Sequence, residues 1–194
     1  MKKTATKKKE TLRKKQYRVI GIDPGTASCG WGILDVENPS ETLVNFGVIR
    51  TSKDDDPGHR LMQIYSKLGK MLRKDKPDVL AMERLFFFRN QLTAMQVAQA
   101  QGAIMLAAHR AKIPLAIYTP AQIKQVVCDD GKATKKQMIA AIRKLFGIRR
   151  KKSHEKLGDD SADALAVAVC HARSLLVRPQ GKPRKQYSKY TEAL

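Results

Sequence analysis

Tyr17-Arg18-Val19-Ile20-Gly21-Ile22-Asp23-Pro24-Gly25-Thr26 is an apolar run that ends on a carboxylate and then breaks at a tight Pro-Gly turn. It reads as a strand that carries Asp23 at its exit. Working outward, a second run of the same kind, Asp78-Val79-Leu80-Ala81-Met82-Glu83, also ends on an acid. Near the far end, Asp160 and Asp163 lie three apart at the start of an Ala-rich stretch that reads as a helix, so they share one face. Acids at two strand ends plus a helix pair can hold two divalent ions about 3.5–4 Å apart, which activates water and stabilises the leaving oxygen of a phosphodiester. In a chain of formal charge +20, the set points to an enzyme that cuts nucleic acid.

Each acid alone has a plainer reading. Single acids at strand ends are usually solvated, and an Asp in a first helical turn is often a cap or a dipole partner. The surroundings argue otherwise. Ala81 and Met82 precede Glu83 in a run that should be buried, and Ala162, Ala164 and Leu165 surround Asp163. Unpaired buried carboxylates are costly and are normally paired or metal-bound, so the joint pattern favours metal ligands.

The 194 residues suit one domain with a proper core plus tails. Residues 1–15 carry a net charge of +7 and residues 178–194 a net of +4, which leaves +9 on 16–177. The expected organisation is therefore a disordered basic arm (1–15), a nuclease domain (16–177) and a basic C-terminal tail (178–194). A basic body suits a polyanionic partner. Cys29, Cys128 and Cys170 lack the paired spacing of a zinc site and read as reduced thiols of a cytoplasmic protein. The four histidines form no ligand motif. Gln96, Gln99 and Gln101 interrupt the best candidate for a membrane span, and the N-terminus has no apolar signal core.

Between the tails, strands are expected over 17–23, 29–36 and 42–51, with connections containing Pro24-Gly25 and Asn38-Pro39 short enough for antiparallel neighbours. A helix follows through Leu61, Ile64, Tyr65, Leu68, Met71 and Leu72, then the Glu83 strand, a long helix over 92–111, and a short strand over 115–118. Helices over 120–127, 138–146 and about 160–175 complete the chain. The order implies an α/β fold, a mixed five-stranded sheet with helices on both faces.

Asp-x-Gly-Thr before a second strand is also the phosphate loop of actin-like ATPases, but those need two domains and a second glycine-rich loop, which this chain lacks. Three segments decide the matter: Gly21-Ile22-Asp23-Pro24-Gly25; Glu83-Arg84-Leu85-Phe86 with Asn90 after it; and Asp160-Ser161-Ala162-Asp163-Ala164-Leu165-Ala166. In order and spacing, over roughly residues 17 to 175, they resemble the RuvC family of Holliday-junction resolvases. The resemblance implies an RNase H-like fold, a homodimer, and paired, symmetric nicking of four-way DNA junctions in recombination and repair. It implies two Mg²⁺ ions per site, with Mn²⁺ as a substitute, and partnership with the branch-migration proteins RuvA and RuvB. On the match, Asp23, Glu83, Asp160 and Asp163 are the catalytic, metal-holding acids. Asp159, four residues before Asp163, would share its face too, and the motif favours Asp160.

Three more positions follow from the resemblance. Phe86 matches an aromatic that touches the junction centre, and of the consecutive rings Phe86, Phe87 and Phe88 at least one cannot point inward from a strand. Lys124 and Lys135 match basic residues that contact the scissile region, where a lysine offsets accumulating charge. Between them Cys128-Asp129-Asp130-Gly131-Lys132 departs from the family's glycine-rich stretch, and its acids count against a phosphate contact there. Arg149-Arg150-Lys151-Lys152 is a separate candidate for backbone contact. The rival functions are an RNase H-like nuclease acting on RNA or pre-rRNA, and a non-catalytic nucleic-acid-binding module with vestigial acids.

The charge distribution sets an expectation for the tails. A protein trimmed to 16–177 should stay folded and bind all DNA more weakly. Its affinity should fall less steeply with salt, because fewer counterions are released. Affinity across a salt series, for full-length and trimmed protein, checks this. An unchanged slope would mean that the tails do not touch DNA.

Overall fold

The computed structural model describes residues 17–37, 40–84, 91–148 and 157–176. The Asn38-Pro39 connection, the Phe86–Phe88 segment with Asn90, the Arg149–Lys152 run and both tails lie outside these residues. The elements follow the order β1 (Tyr17–Asp23), β2 (Ser28–Glu37), β3 (Ser40–Arg50), α1 (Pro57–Asp75), β4 (Val79–Glu83), α2 (Gln91–Arg110), β5 (Leu115–Tyr118), α3 (Pro120–Cys128), α4 (Lys135–Phe146) and α5 (Asp159–Leu176). The five strands form one sheet in the order β3-β2-β1-β4-β5. The short β1–β2 and β2–β3 connections give antiparallel pairs, while β4 and β5, each reached through a helix, run parallel to their inner neighbours.

Strand alternation divides the core into two layers. Ile20, Ile22, Ile33, Leu80 and Met82 pack on one side against Ile64 and Leu68 of α1 and Ile104 of α2. Val19, Leu34, Val79, Ala81 and Ala116 pack on the other against Ile123 of α3, Ile142 of α4 and the buried length of α5. The expected helices on both faces are present. Among the described residues no helix is long and apolar enough to cross a membrane.

Two element starts differ from the sequence reading in ways that matter. Helix α4 begins at Lys135 rather than Met138, because Thr134 and Gln137 form a reciprocal capping box. Lys135 therefore stands in its first turn. Helix α5 begins at Asp159, which places three acids in its first five residues.

Helix α5 lies unusually close to the sheet, and glycines make this possible. A Cβ on Gly21 would fall on the Ala164 carbonyl oxygen and lie 2.7 Å from the Ala168 nitrogen. One on Gly30 would strike the Asp160 carbonyl, and one on Gly32 would meet Leu165 Cγ at 2.7 Å. Gly21 pairs with Gly32 across β1 and β2, so these positions form one shallow floor. Further along α5, His171 is buried, with Tyr118 Oη 2.6 Å from its Nδ1 and Tyr17 Oη 3.3 Å from its Nε2. Burial pushes the His171 pKa down to about 4.

Gly21→Ala should therefore cost about 1–3 kcal/mol through overpacking, a fall of roughly 3–10 °C in the thermal midpoint. Gly69→Ala, in α1, meets only the tip of the Arg73 side chain at 3.4 Å. It should raise stability by about 0.5–1 kcal/mol. Thermal denaturation of the two variants side by side checks the contrast.

Candidate active site

Pleat and register bring the first two acids together. Val19, Gly21 and Asp23 alternate onto the α5 side of β1, as do Val79, Ala81 and Glu83 on β4. The parallel register pairs Gly21 with Ala81 and Ile22 with Met82. Asp23 and Glu83 consequently leave neighbouring strands side by side, at the same sheet edge and on the same face. Glu83 is held from both sides: it pairs with Tyr118 of β5, and Gln101 of α2 donates from Nε2 to its carbonyl oxygen at 3.0 Å.

Helix α5 supplies the other two. Gly30, the β2 partner of Asp23, receives the backbone of Asp160 directly. Asp163 follows almost one turn later, with a half-buried side chain. The carboxylates are near enough to act on one another's titration. Burial, then the fields of Asp163, Glu83 and Asp160, push the Asp23 pKa up to about 7, against an opposing effect of Lys135. Burial and Asp163 raise that of Glu83, opposed by Lys124 and Lys135. Burial raises Asp163 as well, against the hydrogen bond from Lys135. Asp160 acts on Asp23 and on Asp163, and Asp159 acts on Asp163.

The two lysines flank this edge. Lys124, on α3, is near enough to act on Glu83. Lys135 Nζ lies 3.0 Å from Asp163 Oδ2 and 3.7 Å from Asp159 Oδ2. Burial lowers the pKa of Lys135, but the hydrogen bond to Asp163 and the surrounding carboxylates raise it overall. The acids of the α3–α4 loop have local work. Asp129 takes the left-handed C-cap of α3 at φ 57°, and Asp130 accepts from the Lys132 amide at 2.8 Å. They shape the turn that delivers Lys135. Phe86 lies outside the described residues.

Among the described residues, no three His, Cys, Asp or Glu side chains close into a ready metal cage. The donor set nevertheless fits a hard divalent cation, which prefers carboxylate oxygen. Burial and neighbouring carboxylates make Asp23, Glu83 and Asp163 reluctant to ionise without a cation, and an ammonium already sits on Asp163 as a stand-in. Sequence reading missed the Asp159–Lys135 contact, the Gln101 tether and the glycine floor. Only the floor left a readable signal, in the spacing of Gly21, Gly30 and Gly32 on a hairpin.

Comparison with known proteins agrees with this geometry. The family profile described as "Crossover junction endodeoxyribonuclease RuvC" matches residues 19–171. A protein of that name from Fusobacterium nucleatum is 44% identical over 158 residues, covering 81% of this chain and 81% of its own. Another from Moorella thermoacetica is 41% identical over 154 residues, covering 79% of this chain and 90% of its own. The solved structure of T. thermophilus RuvC in complex with a Holliday junction substrate is 30% identical, with a TM-score of 0.75, over 82% of this chain and 95% of that one. The architecture is thus RNase H-like.

The raised pKa of Asp23 has a consequence for stability. A carboxyl whose folded pKa exceeds its unfolded value favours the fold while protonated, and that contribution is lost as pH rises through the folded value. Above about pH 7, ionised Asp23 therefore opposes folding in the metal-free protein. Asp23→Asn should raise stability near pH 8 by up to about 4 kcal/mol, but by only about 1–2 kcal/mol near pH 5, where the unfolded carboxyl is already mostly ionised and the folded one is not. Thermal midpoints at the two pH values, in chelator, check this. His171 titrates identically in both proteins and cancels.

Proposed function

This chain belongs to the RuvC family of crossover junction endodeoxyribonucleases, and on that footing we propose that Asp23, Glu83, Asp160 and Asp163 form the active site with which it resolves Holliday junctions. The observation that carries the proposal is their convergence. Two strand ends and the first turn of α5 present four carboxylates to one edge, where burial and mutual repulsion hold the Asp23 pKa near 7. Isolated solvated acids or caps would not act on one another in this way.

The proposed reaction is paired, metal-dependent hydrolysis of strands of like polarity. Mg²⁺, two ions per site, would supply an activated water and neutralise charge on the leaving oxygen. The four acids would hold the ions and fix the direction of attack. Lys124 and Lys135 would face the phosphate from α3 and α4 and offset the charge that accumulates on it. Phe86, beyond Glu83, would stack on a base at the junction centre, a contact worth about 1–3 kcal/mol. The reading assigns no covalent role to the protein, and the products would carry a 5′-phosphate and a 3′-hydroxyl.

A nearly symmetric junction calls for two sites, hence a homodimer. Helix α2 supports this reading. Met95 and Leu106 are 60% and 59% exposed on it, and Gly102 between them meets no neighbouring atom within 4 Å. That surface suits a second copy of α2. The catalytic unit would be residues 16–177, with both tails as additional DNA-binding arms. Family membership further implies cytoplasmic action with RuvA and RuvB.

Cleavage of a synthetic four-way junction tests the proposal against linear duplex competitor, with and without Mg²⁺. Asp23→Asn, Glu83→Gln, Asp160→Asn and Asp163→Asn should each abolish cutting and leave junction binding largely intact, because an amide is a poor ligand for a hard cation. Asp159→Asn should still cut at saturating Mg²⁺. Full activity of Asp160→Asn beside a dead Asp159→Asn would reverse the assignment within α5.

A further inference from the structure

Lys135 is seated between two carboxylates one helical turn apart, Asp163 at 3.0 Å and Asp159 at 3.7 Å. Only Asp163 belongs to the set read above as ion-binding. The four-residue spacing puts both on the face of α5 that meets the start of α4. Asp160, whose backbone rests on Gly30, belongs to the sheet side instead. Asp159 is thus an acid beside the site with a lysine as its partner.

The arrangement has a built-in conflict. A divalent ion binds a carboxylate oxygen at a shorter distance than an ammonium does, and at Asp163 it would meet the charge of Lys135, whose Nζ already sits on Oδ2. Two like charges cannot share that position cheaply. An arriving ion must therefore drive Lys135 off Asp163. The lysine side chain is about half exposed (54%) on a flexible four-carbon stem, and the Asp159 carboxylate already lies within its reach. With no second anion there, the displaced ammonium would turn into solvent and be lost to the phosphate.

We propose that Asp159 is a positioning residue that gives Lys135 a second seat: as a divalent ion takes Asp163, the lysine passes to Asp159 and stays at the mouth of the site, facing the scissile phosphate. The exchange ties the two cations together. Until the ion arrives, Lys135 is spent on Asp163, and once it arrives the lysine, now held by Asp159, faces the substrate. The inference rests on reading these acids as ion ligands.

Calorimetric titration of Mn²⁺ into the full-length protein, at about 0.15 M salt where distant charges are largely screened, separates the possibilities. The double-mutant set is the unmodified protein, Asp159→Asn, Lys135→Met and both together. Lys135→Met should bind Mn²⁺ severalfold more tightly, since the competing ammonium is gone. Asp159→Asn should weaken binding by about two- to fivefold, as expected of an exposed pair, because the lysine has lost its alternative seat. In the Lys135→Met background the same change should have almost no effect. Equal weakening in both backgrounds would mean that Asp159 acts only through its charge, and would overturn this inference while leaving the proposed function intact. Weaker Mn²⁺ binding by Lys135→Met would overturn it too. No Mn²⁺ binding by the unmodified protein would overturn both readings.

Discussion

The backbone contact of α5 with the β1–β2 hairpin is the constraint on which the rest depends. A helix packed on a sheet through ordinary side chains stands further off, a gap too wide for short aspartates to meet acids rising from strand ends. Gly21, Gly30 and Gly32 remove the side chains that would keep the layers apart, and Ala164 and Ala168 do the same from the helix. The first turn of α5 comes down beside the exits of β1 and β4 as a result. Asp160 and Asp163 then need only their own short side chains to face Asp23 and Glu83. Longer acids on a more distant helix could span the gap, but at a larger cost in side-chain entropy and with a looser site.

The same closeness creates an electrostatic problem that the fold only partly solves. Four carboxylates share one half-buried edge, and there burial and neighbouring acids make Asp23, Glu83 and Asp163 harder to ionise. Lys124 and Lys135 offset some of this, yet the Asp23 pKa still rises to about 7. The site is a place where stability is given up: repulsion that opposes folding in the metal-free chain becomes attraction for an incoming cation. The +9 of the body as a whole does not relieve the strain, since most of that charge is distant and screened. The balance is set locally, by two lysines on helices that begin or run near the acid edge.

Much of this was legible in the sequence because the relevant signals are short-range. The Val19–Asp23 and Val79–Glu83 runs announce buried strands with acids at their exits, the 3.6-residue period marks α1, and an Ala-rich apolar run marks α5. The pairing of strands follows from the lengths of their connections. The start of α4 was misplaced because Lys135, Lys136 and Gln137 lack apolar periodicity; the capping box of Thr134 and Gln137 is what begins that helix. The seat of Lys135 was not legible at all. It depends on how α4 meets α5, a tertiary contact that leaves no local trace in either segment. Asp129 and Asp130 carry local roles with no signal in the sequence, the left-handed C-cap of α3 and an acceptor for the Lys132 amide.

The position of the site follows from topology before any side chain is considered. From β1 the chain turns to β2 on one side, and later returns through α1 to β4 on the other. The connections thus diverge on either side of β1, and in open α/β sheets such a divergence leaves a crevice outside the carboxyl ends of the strands. A parallel β1–β4 pair makes both acids emerge at that edge; an antiparallel pair would send them to opposite ends of the sheet. Helix α5 covers the face but starts at the edge, so only its first turn borders the opening, while His171 and the rest of its length serve the core. The crossover through α1 therefore brings both strand acids to this edge, and the glycine floor decides how near the helix acids come to them.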